Sequence, residues 1–419
     1  MHRLPFRYAI LGFLTHALVI LLASVPGWRA TPLVSSDAVT YMMDARNILQ
    51  HGVFSREQAA PYLWEPYRTP GYPLVLAFSI LVSGGVELAL FFSAAAAGLA
   101  AWVAIQMSGM IGCDRVGQHI TGLVMILLPN SLGLSAFLLT DALFGYFFLI
   151  WIFLLYKGFR ESNILMLIVS IIVLFILQAI KPTANLGILF IGEVAILWAR
   201  TKRVWLFACL MASLALLLPI TFSSMNYRDN QVFSPTLLDI QTAREYLQVR
   251  YISEQTGQGI AEVTNQVRLQ DHNLAEFLSE PKSYYGRLYY VERAEVVNFI
   301  QQHPWKVLQL MGSEMVTQFA APQEWVFLVF RNNLPTWLRA LGSLLTLFLW
   351  IGAGLGALKI TMQGDCRLAI LLISTLLFFL VTGSVSDLVG ARLRFPADLL
   401  AVPFFALCVS SYFPQILEI

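Results

Sequence analysis

Runs of about twenty mostly apolar residues recur along this chain of 419 residues. As a helix, a run of that length crosses the roughly 30 Å hydrocarbon core of a bilayer. In lipid, backbone polar groups must be paired within the chain, and a helix pairs its own. Only 12% of the residues are charged, which is about half the fraction of a typical soluble domain. The sequence therefore predicts an all-α, polytopic membrane helix bundle, with a single transmembrane domain over 1–419.

Hydropathy places about ten transmembrane spans. The predicted spans are 8–25, 86–108, 118–136, 141–157, 162–180, 183–199, 204–222, 336–358, 366–382 and 397–412. Two connections on one face are long, 26–85 and 223–335. Long loops in a compact protein are usually functional, and we expect these two to carry interfacial helices.

The basic residues of the short loops predict the orientation. One side holds Arg3, Arg7, Arg115, Lys157, Arg160, Arg200, Lys202, Arg203, Lys359 and Arg367. On the other side, the short loops hold only Lys181, Arg392 and Arg394. The excess of Lys and Arg on the cytoplasmic side predicts that both termini are cytoplasmic and both long loops lie outside. The three exceptions fit either interfacial snorkelling or binding of an anionic headgroup.

The first outer loop contains a predicted amphipathic helix. Ser35 and Ser36 are typical helix-start residues, and Gly52 is a typical stop. Between them the apolar stripe is Ala38, Met42, Ala45 and Leu49, and the polar stripe is Asp37, Thr40, Asp44, Asn47 and His51. We expect the helix to lie in the outer interface. Asp37 in its first turn fits either a complement to the helix dipole or a functional carboxylate.

Three segments, in this order and topology, resemble the GT-C polyprenyl-phosphate-sugar glycosyltransferases. They are "RTPGYPL" after the predicted helix, "PNSLGLSAFLLTDALFGYFF" with Asp141 at the start of a span, and "GARLRFPADLLAVP" with Arg392, Arg394 and Pro396. Protein O-mannosyltransferases and the aminoarabinose transferases of lipid A belong to that superfamily. The resemblance covers the first half of the chain and the last span.

The resemblance implies an inverting transfer of a sugar from a polyprenyl phosphate to a protein, lipid or glycan acceptor. It implies a bacterial inner-membrane enzyme with its active site on the periplasmic face. Asp37 is then the expected general base, and Asp141 is a second expected catalytic residue. The lipid phosphate needs cations, and the candidates are Lys181, Arg394, Arg392 and Arg68.

Further polar residues are expected at the active cavity, which the second outer loop is predicted to cover. The expected cavity-lining residues are Asp44, Glu65, Tyr72, His303 and Glu314, with Glu324 as a weaker candidate. Asp387 and Asp398 flank the Arg pair and are expected to neutralise it. We expect no cofactor and no tightly bound metal, because neither a Gly-rich phosphate loop nor a clear D-x-D motif is present. Nucleic-acid binding is not expected either, since no basic stripe occurs.

Three other functions compete with glycosyl transfer. A transporter or flippase of lipid-linked sugars predicts charged residues at mid-span and symmetry between halves, and neither is visible. An envelope polysaccharide polymerase or ligase usually places its key basic residues in the large loop. An accessory scaffold is favoured only if Asp37 proves dispensable.

Overall fold

Helices form most of the chain that the computed structural model describes, namely residues 3–30, 33, 35–280, 282–331, 333–385 and 391–412. Within these residues, seven helical runs are long and apolar enough to cross a bilayer. They are Arg3–Ser24, Glu87–Met110, Thr140–Glu161, Lys202–Asn230, Thr336–Met362, Arg367–Ser384 and Arg392–Tyr412. Shorter apolar helices cover Gly71–Ser83, Ile164–Ile180 and Pro182–Trp198. The predicted all-α, polytopic membrane fold is confirmed.

Most of the helices follow one another with short connections, and the connections over 25–35 and 52–70 are longer. The first half of the chain forms α1 (Arg3–Ser24), α2 (Ser36–His51), α3 (Gly71–Ser83), α4 (Glu87–Met110), α5 (Arg115–Leu127), α6 (Pro129–Leu134), α7 (Thr140–Glu161), α8 (Ile164–Ile180), a 3-10 turn (Pro182–Leu186), α9 (Gly187–Trp198) and α10 (Lys202–Leu214). The second half forms α11 (Leu217–Asn230), α12 (Leu238–Ala243), a π-helical turn (Arg244–Gln248), α13 (Val249–Thr256), α14 (Ile260–Phe277), α15 (Tyr284–Gln302), α16 (Pro304–Ala320), α17 (Trp325–Phe330), α18 (Thr336–Met362), α19 (Arg367–Ser384) and α20 (Ala391–Tyr412).

Small residues let the long helices pack closely. Gly98 of α4 lies against the backbone of α1, where an added Cβ would come within 2.4 Å of the Ala9 carbonyl oxygen. Gly356 of α18 faces α20 in the same way, with 2.0 Å between an added Cβ and the Phe404 carbonyl oxygen. Small residues at such crossings allow the close van der Waals packing that holds membrane helices together.

Two regions differ from the predicted spans. The span predicted over 118–136 is broken, because α5 ends at Leu127 and Pro129 begins the separate α6. Proline lacks an N–H and disfavours helical geometry in the residue before it, and Leu128 has a ψ of 117°. Part of the predicted first outer loop is also apolar helix, since α3 presents an exposed stripe that includes Leu74, Phe78 and Leu81.

The two outer loops pack on each other. Tyr67 from the first loop shares a small core with Val232, Leu237 and Tyr289 from the second. Backbone contacts reinforce it, since the Leu237 N–H donates to the Pro66 carbonyl oxygen over 2.8 Å. The second loop is therefore fixed to the segment that precedes α3.

Two glycines on α18 give a matched test of this packing. Gly356→Ala should lower the free energy of unfolding by about 1–3 kcal/mol, because its Cβ overlaps the α20 backbone. Gly354 has nothing within 4 Å of an added Cβ, so Gly354→Ala should be neutral or stabilise by up to about 1 kcal/mol. Thermal denaturation of both variants in detergent measures the difference. Equal melting temperatures would contradict the packing of α18 on α20.

Candidate active site

The first turn of α2 positions Asp37. Ser35 precedes the helix, and its Oγ accepts a hydrogen bond from the Ala38 N–H over 3.2 Å. Gly52 ends the helix with a positive φ of 68°, and its N–H donates to backbone carbonyls of the last turn. These are the start and stop that the sequence indicates. Asp37 directly precedes the buried Ala38 and lies one turn before the buried Tyr41.

Five charged side chains form a continuous chain of ion pairs. Asp37 accepts from Arg68 Nη2 at 2.6 Å and from Arg392 Nη2 at 2.8 Å. The Nε of Arg392 donates to Asp141 over 2.6 Å. Lys181 Nζ donates to the other Asp141 oxygen over 2.7 Å. We call Arg68, Asp37, Arg392, Asp141 and Lys181 the charge chain.

The charge chain gathers from the ends of several elements. Asp141 lies in the first turn of α7, and Lys181 follows the last residue of α8. Arg392 lies in the first turn of α20, 355 positions from its partner Asp37. All five residues were predicted to lie on one face of the membrane, and the structure brings them together at one end of the bundle.

The charge chain is largely removed from solvent. The Asp141 side chain is 1% exposed and that of Arg392 is 15% exposed. Burial alone would raise the pKa of Asp37, but the charges of Arg68 and Arg392 outweigh it and lower that pKa to about 2. Asp37 is therefore ionised at neutral pH. Three cations face two carboxylates, so one positive charge remains for an anionic ligand.

A cavity of about 410 Å³ opens beside the charge chain. Its walls are mainly apolar, with Phe144, Leu186 and Phe379 among them, and they include three members of the charge chain. The lining residues are Asp141, Phe144, Lys181, Pro182, Thr183, Asn185, Leu186, Pro235, Thr236, Leu238, Asp239, Thr242, Phe379, Thr382, Gly383, Val385, Arg392, Leu393 and Pro396. A volume in this range, with apolar walls and a few convergent polar groups, is typical of a ligand site.

The second outer loop supplies one wall of the cavity, over 235–242. Thr236 Oγ1 donates to the Tyr67 carbonyl oxygen over 3.0 Å. This hydrogen bond adds to the one that Leu237 makes with Pro66. These two hydrogen bonds join the cavity wall over 235–242 to the first outer loop.

Arg394 lies apart from the cavity, although it is two residues from Arg392. Its side chain is fully buried. Nε donates to Asp398 at 2.8 Å, and the other nitrogens donate to backbone carbonyl oxygens at Gln318, Phe319 and Ala321. These carbonyls end α16, so Arg394 joins α20 to α16 and is committed to packing. Asp398 neutralises it as expected, whereas Asp387 lies outside the described residues.

None of the six polar residues predicted to line the cavity is on its wall. The Glu65 carboxylate is buried, pairs with Arg56, and accepts from the backbone N–H of Tyr67 at 2.9 Å and of Arg68 at 3.2 Å. Glu65 therefore organises the turn that presents Arg68. Tyr72 is 1% exposed and packs edge-to-face on Tyr41.

Three more of these residues, His303, Glu314 and Glu324, also have local roles. His303 packs against the Tyr251 ring at 4.8 Å between centroids. Glu314 is buried and accepts from Arg250 Nη1 at 3.0 Å. Glu324 lies 3.5 Å from Arg339. Each of these three groups therefore interacts with a neighbouring side chain, away from the cavity.

Asp44 is buried instead of lying on a solvated stripe. Its residue is 0% exposed, and neither carboxylate oxygen has a hydrogen-bond partner among the described residues. Asn47, three residues later, is also buried. Its amide donates to the Ser55 and Glu57 carbonyl oxygens at 2.6 and 2.8 Å. The predicted polar face of α2 thus packs under the chain that follows it, while Leu49 of the apolar stripe is exposed.

Sequence reasoning missed six polar residues on the cavity wall, namely Thr183, Asn185, Thr236, Asp239, Thr242 and Thr382. Thr183 and Asn185 follow Lys181 in "KPTANL", and this polar interruption between two apolar runs is a usable signal. Asp239 has no such signal, since it lies in a segment without a recognisable motif. Only the folded second loop brings it to the cavity.

Comparisons with known proteins add little to this geometry. No protein-family model matches the chain, and no curated protein matches it. A solved structure with some likeness is that of ArnT from Cupriavidus metallidurans in the apo state. It is 13% identical with a TM-score of 0.39, over 95% of this chain and 76% of that one. Likeness at this level leaves the function to be argued from the site itself.

Asp44 predicts a pH-dependent stability. Burial, and next the charge of Glu65, raise the pKa of Asp44 to about 8, so this carboxyl is protonated in the folded protein at neutral pH. In the unfolded chain its pKa is about 3.9. The stability that the protonated Asp44 carboxyl contributes to the folded protein is therefore fully present below about pH 4, and it is lost as the pH rises towards 8. Asp44→Asn should reduce the fall in melting temperature between pH 4 and pH 8. The control variant Glu276→Gln, at an exposed site, should show the same fall as wild type. An unchanged pH profile in Asp44→Asn would refute the assignment.

Proposed function

We propose that this protein is an integral membrane glycosyltransferase of the GT-C type. In this proposal it moves a sugar from a polyprenyl phosphate to an acceptor hydroxyl or amine at the outer face of a bacterial inner membrane. The observation that carries the proposal is the position of Arg392. It joins Asp37 to Asp141 at the edge of an apolar-walled cavity, beside Lys181.

The cations suit the leaving group of such a reaction. When the bond between the anomeric carbon and the phosphate oxygen breaks, the phosphate keeps the electron pair and gains negative charge. Lys181 and Arg392 both line the cavity and stabilise that charge where water is largely excluded. Asp141 holds both cations through its two oxygens, which makes it a positioning residue in this proposal.

The carboxylate of Asp37 is the proposed base. It accepts the acceptor's proton while the acceptor oxygen or nitrogen attacks the anomeric carbon from the face opposite the phosphate, which inverts that carbon. With a pKa of about 2, Asp37 is a weak base while Arg68 and Arg392 both bind it. An anionic phosphate beside Lys181 competes for Arg392 and weakens its pair with Asp37. The donor thereby raises the basicity of Asp37 only when the site is occupied.

The apolar wall suits the lipid part of the donor. Phe144, Leu186 and Phe379 come from α7, the 3-10 turn and α19. Phe144 also borders a small aromatic pocket that includes Phe148, Trp151, Phe190 and Phe378. We propose that the polyprenyl tail enters laterally between α9 and α19 and lies along this surface.

The position of the charges argues against a flippase. A path for a lipid-linked sugar across the bilayer needs polar groups at mid-span. The charge chain instead lies at helix ends. A polymerase or ligase uses the same kind of donor, and the acceptor in the assay below distinguishes the two.

Asp37→Asn should lower the rate of sugar transfer by on the order of 10²–10⁴, because the base is lost while the size of the side chain is kept. The assay uses purified full-length protein in lipid, a panel of polyprenyl-phosphate sugars, and hydroxyl-bearing acceptors. Asp44→Asn on the same helix is the matched control and should keep near-normal transfer. Near-normal turnover by Asp37→Asn would remove Asp37 from the chemistry.

Lys181 and Arg394 should separate donor binding from folding. Lys181→Gln should raise the apparent KM for the donor about tenfold or more, since a charge-assisted contact to phosphate is lost. Arg394→Gln should lower the yield and melting temperature of the protein, because buried Asp398 loses its ion-pair partner. The donor KM of the folded fraction should stay near normal. A raised donor KM in Arg394→Gln, together with an unchanged donor KM in Lys181→Gln, would overturn both roles.

A further inference from the structure

Most polar side chains on the cavity wall already have partners. Asp141, Lys181 and Arg392 belong to the charge chain. Thr382 Oγ1 donates to the Phe378 carbonyl oxygen over 2.9 Å. Thr242 Oγ1 donates to that of Leu238, and Thr236 is bound to Tyr67. Each of these groups therefore already makes at least one contact within the protein.

Asn185 and Asp239 differ from these groups. The Oδ1 of Asn185 is buried and has no hydrogen-bond partner among the described residues. The residue Asp239 is exposed, and its carboxylate lies near the backbone N–H groups of its own helix turn. The ion pairs of the described chain do not include it, although Arg293 is near enough to influence it electrostatically.

The unpaired oxygen of Asn185 carries a cost in free energy, because a buried amide oxygen without a hydrogen bond is costly. Asp239 is exposed, so its carboxylate is accessible to a ligand in the cavity that it lines. Both residues lie on the wall of one cavity, and they come from different parts of the fold. Asn185 lies on the 3-10 turn four residues after Lys181, and Asp239 lies on α12 of the second loop. A ligand that donates a hydrogen bond to Asn185 Oδ1 removes this cost, and it can donate another to the carboxylate of Asp239.

The hydrogen-bonding groups of Asp239 and Asn185 indicate the chemistry of that ligand. A carboxylate accepts hydrogen bonds from hydroxyl groups, while a primary amide both accepts and donates. The side chain of Thr183 adds a hydroxyl to the same wall. Phosphate suits the Lys181 and Arg392 side of the cavity and is repelled by Asp239, and a hydrocarbon tail satisfies none of these groups.

We propose that Asp239 and Asn185 form a sugar-recognition subsite that binds hydroxyl groups of the sugar on the lipid phosphate. The inference rests on the proposed function, and it divides the cavity by chemistry. Lys181 and Arg392 bind the phosphate, the apolar walls bind the lipid, and Asp239 and Asn185 select the sugar. Asp239 thereby makes the second outer loop a determinant of donor specificity.

A purely structural role for Asp239 predicts a different outcome. In that case its carboxylate only stabilises the first turn of α12 through the backbone N–H of Ile240. Asp239→Asn would then lower the melting temperature and change the affinity for all ligands of the cavity alike. The affinity gained from the sugar distinguishes the two roles.

The test compares two kinds of probe on the purified full-length protein. Undecaprenyl phosphate reports the phosphate and lipid contacts, and undecaprenyl phosphates bearing glucose, mannose or aminoarabinose add the sugar contacts. Wild type should bind at least one sugar-bearing lipid more tightly than the bare lipid phosphate. Asp239→Asn and Asn185→Ala should each reduce that difference about tenfold, with the affinity for undecaprenyl phosphate unchanged. Glu276→Gln, which removes an exposed carboxylate from α14, should match wild type.

The outcomes separate this inference from the proposed function. If wild type does not bind undecaprenyl phosphate at all, the proposed function fails and the subsite fails with it. If wild type binds the lipid phosphate but gains nothing from any sugar, the subsite is refuted and the proposed function stands. The subsite is also refuted if both variants keep the full gain, or if they weaken every probe equally.

Discussion

The pairing of Arg392 with two carboxylates is the interaction on which the site depends. A charge removed from water is costly unless an opposite charge and hydrogen bonds replace the solvent. Arg392 is 15% exposed and meets Asp37 and Asp141 at 2.8 and 2.6 Å. Because these two acids lie on α2 and α7, a single guanidinium fixes the positions of three helix ends. Arg68 and Lys181 extend the pattern, so each carboxylate lies between two cations.

Two neighbouring clusters support this arrangement without joining it. The Glu65–Arg56 pair holds the turn from which Arg68 reaches Asp37. The Arg394–Asp398 pair, completed by Gln323 and Trp350 over 2.8 and 2.9 Å, fixes the start of α20 from which Arg392 projects. Fully paired buried groups of this kind make the surroundings rigid. The charge chain, by contrast, retains one unneutralised cation beside a cavity, which is the feature that suits an anionic substrate.

The sequence was informative about the fold and about the position of the charges along it. Apolar runs predict the helices, and the distribution of basic residues predicts that Lys181, Arg392 and Asp141 share a face. It does not separate Arg392 from Arg394, because both precede the same span. On a helix two residues are about 200° apart, so one arginine faces the cavity and the other faces α16. Only tertiary packing decides which.

Other differences between prediction and structure also have specific physical causes. The break at Pro129 lies within an apolar run, where hydropathy alone gives no boundary. The burial of Asp44 depends on residues 53–65 folding back over α2, which periodicity within the helix does not encode. Asp239 reaches the cavity through the contacts of Leu237 and Thr236 with the first loop. In these cases the deciding feature is either a single proline, which hydropathy does not detect, or a contact with a segment distant in sequence.

The most direct measurement of the central claim is an experimental structure of the full-length protein with a bound polyprenyl phosphate. The account predicts phosphate oxygens within about 3 Å of Lys181 Nζ and of the Arg392 guanidinium, with the Arg392–Asp37 pair lengthened or broken. A phosphate bound elsewhere, with the Arg392–Asp37 pair intact at 2.8 Å, would contradict it.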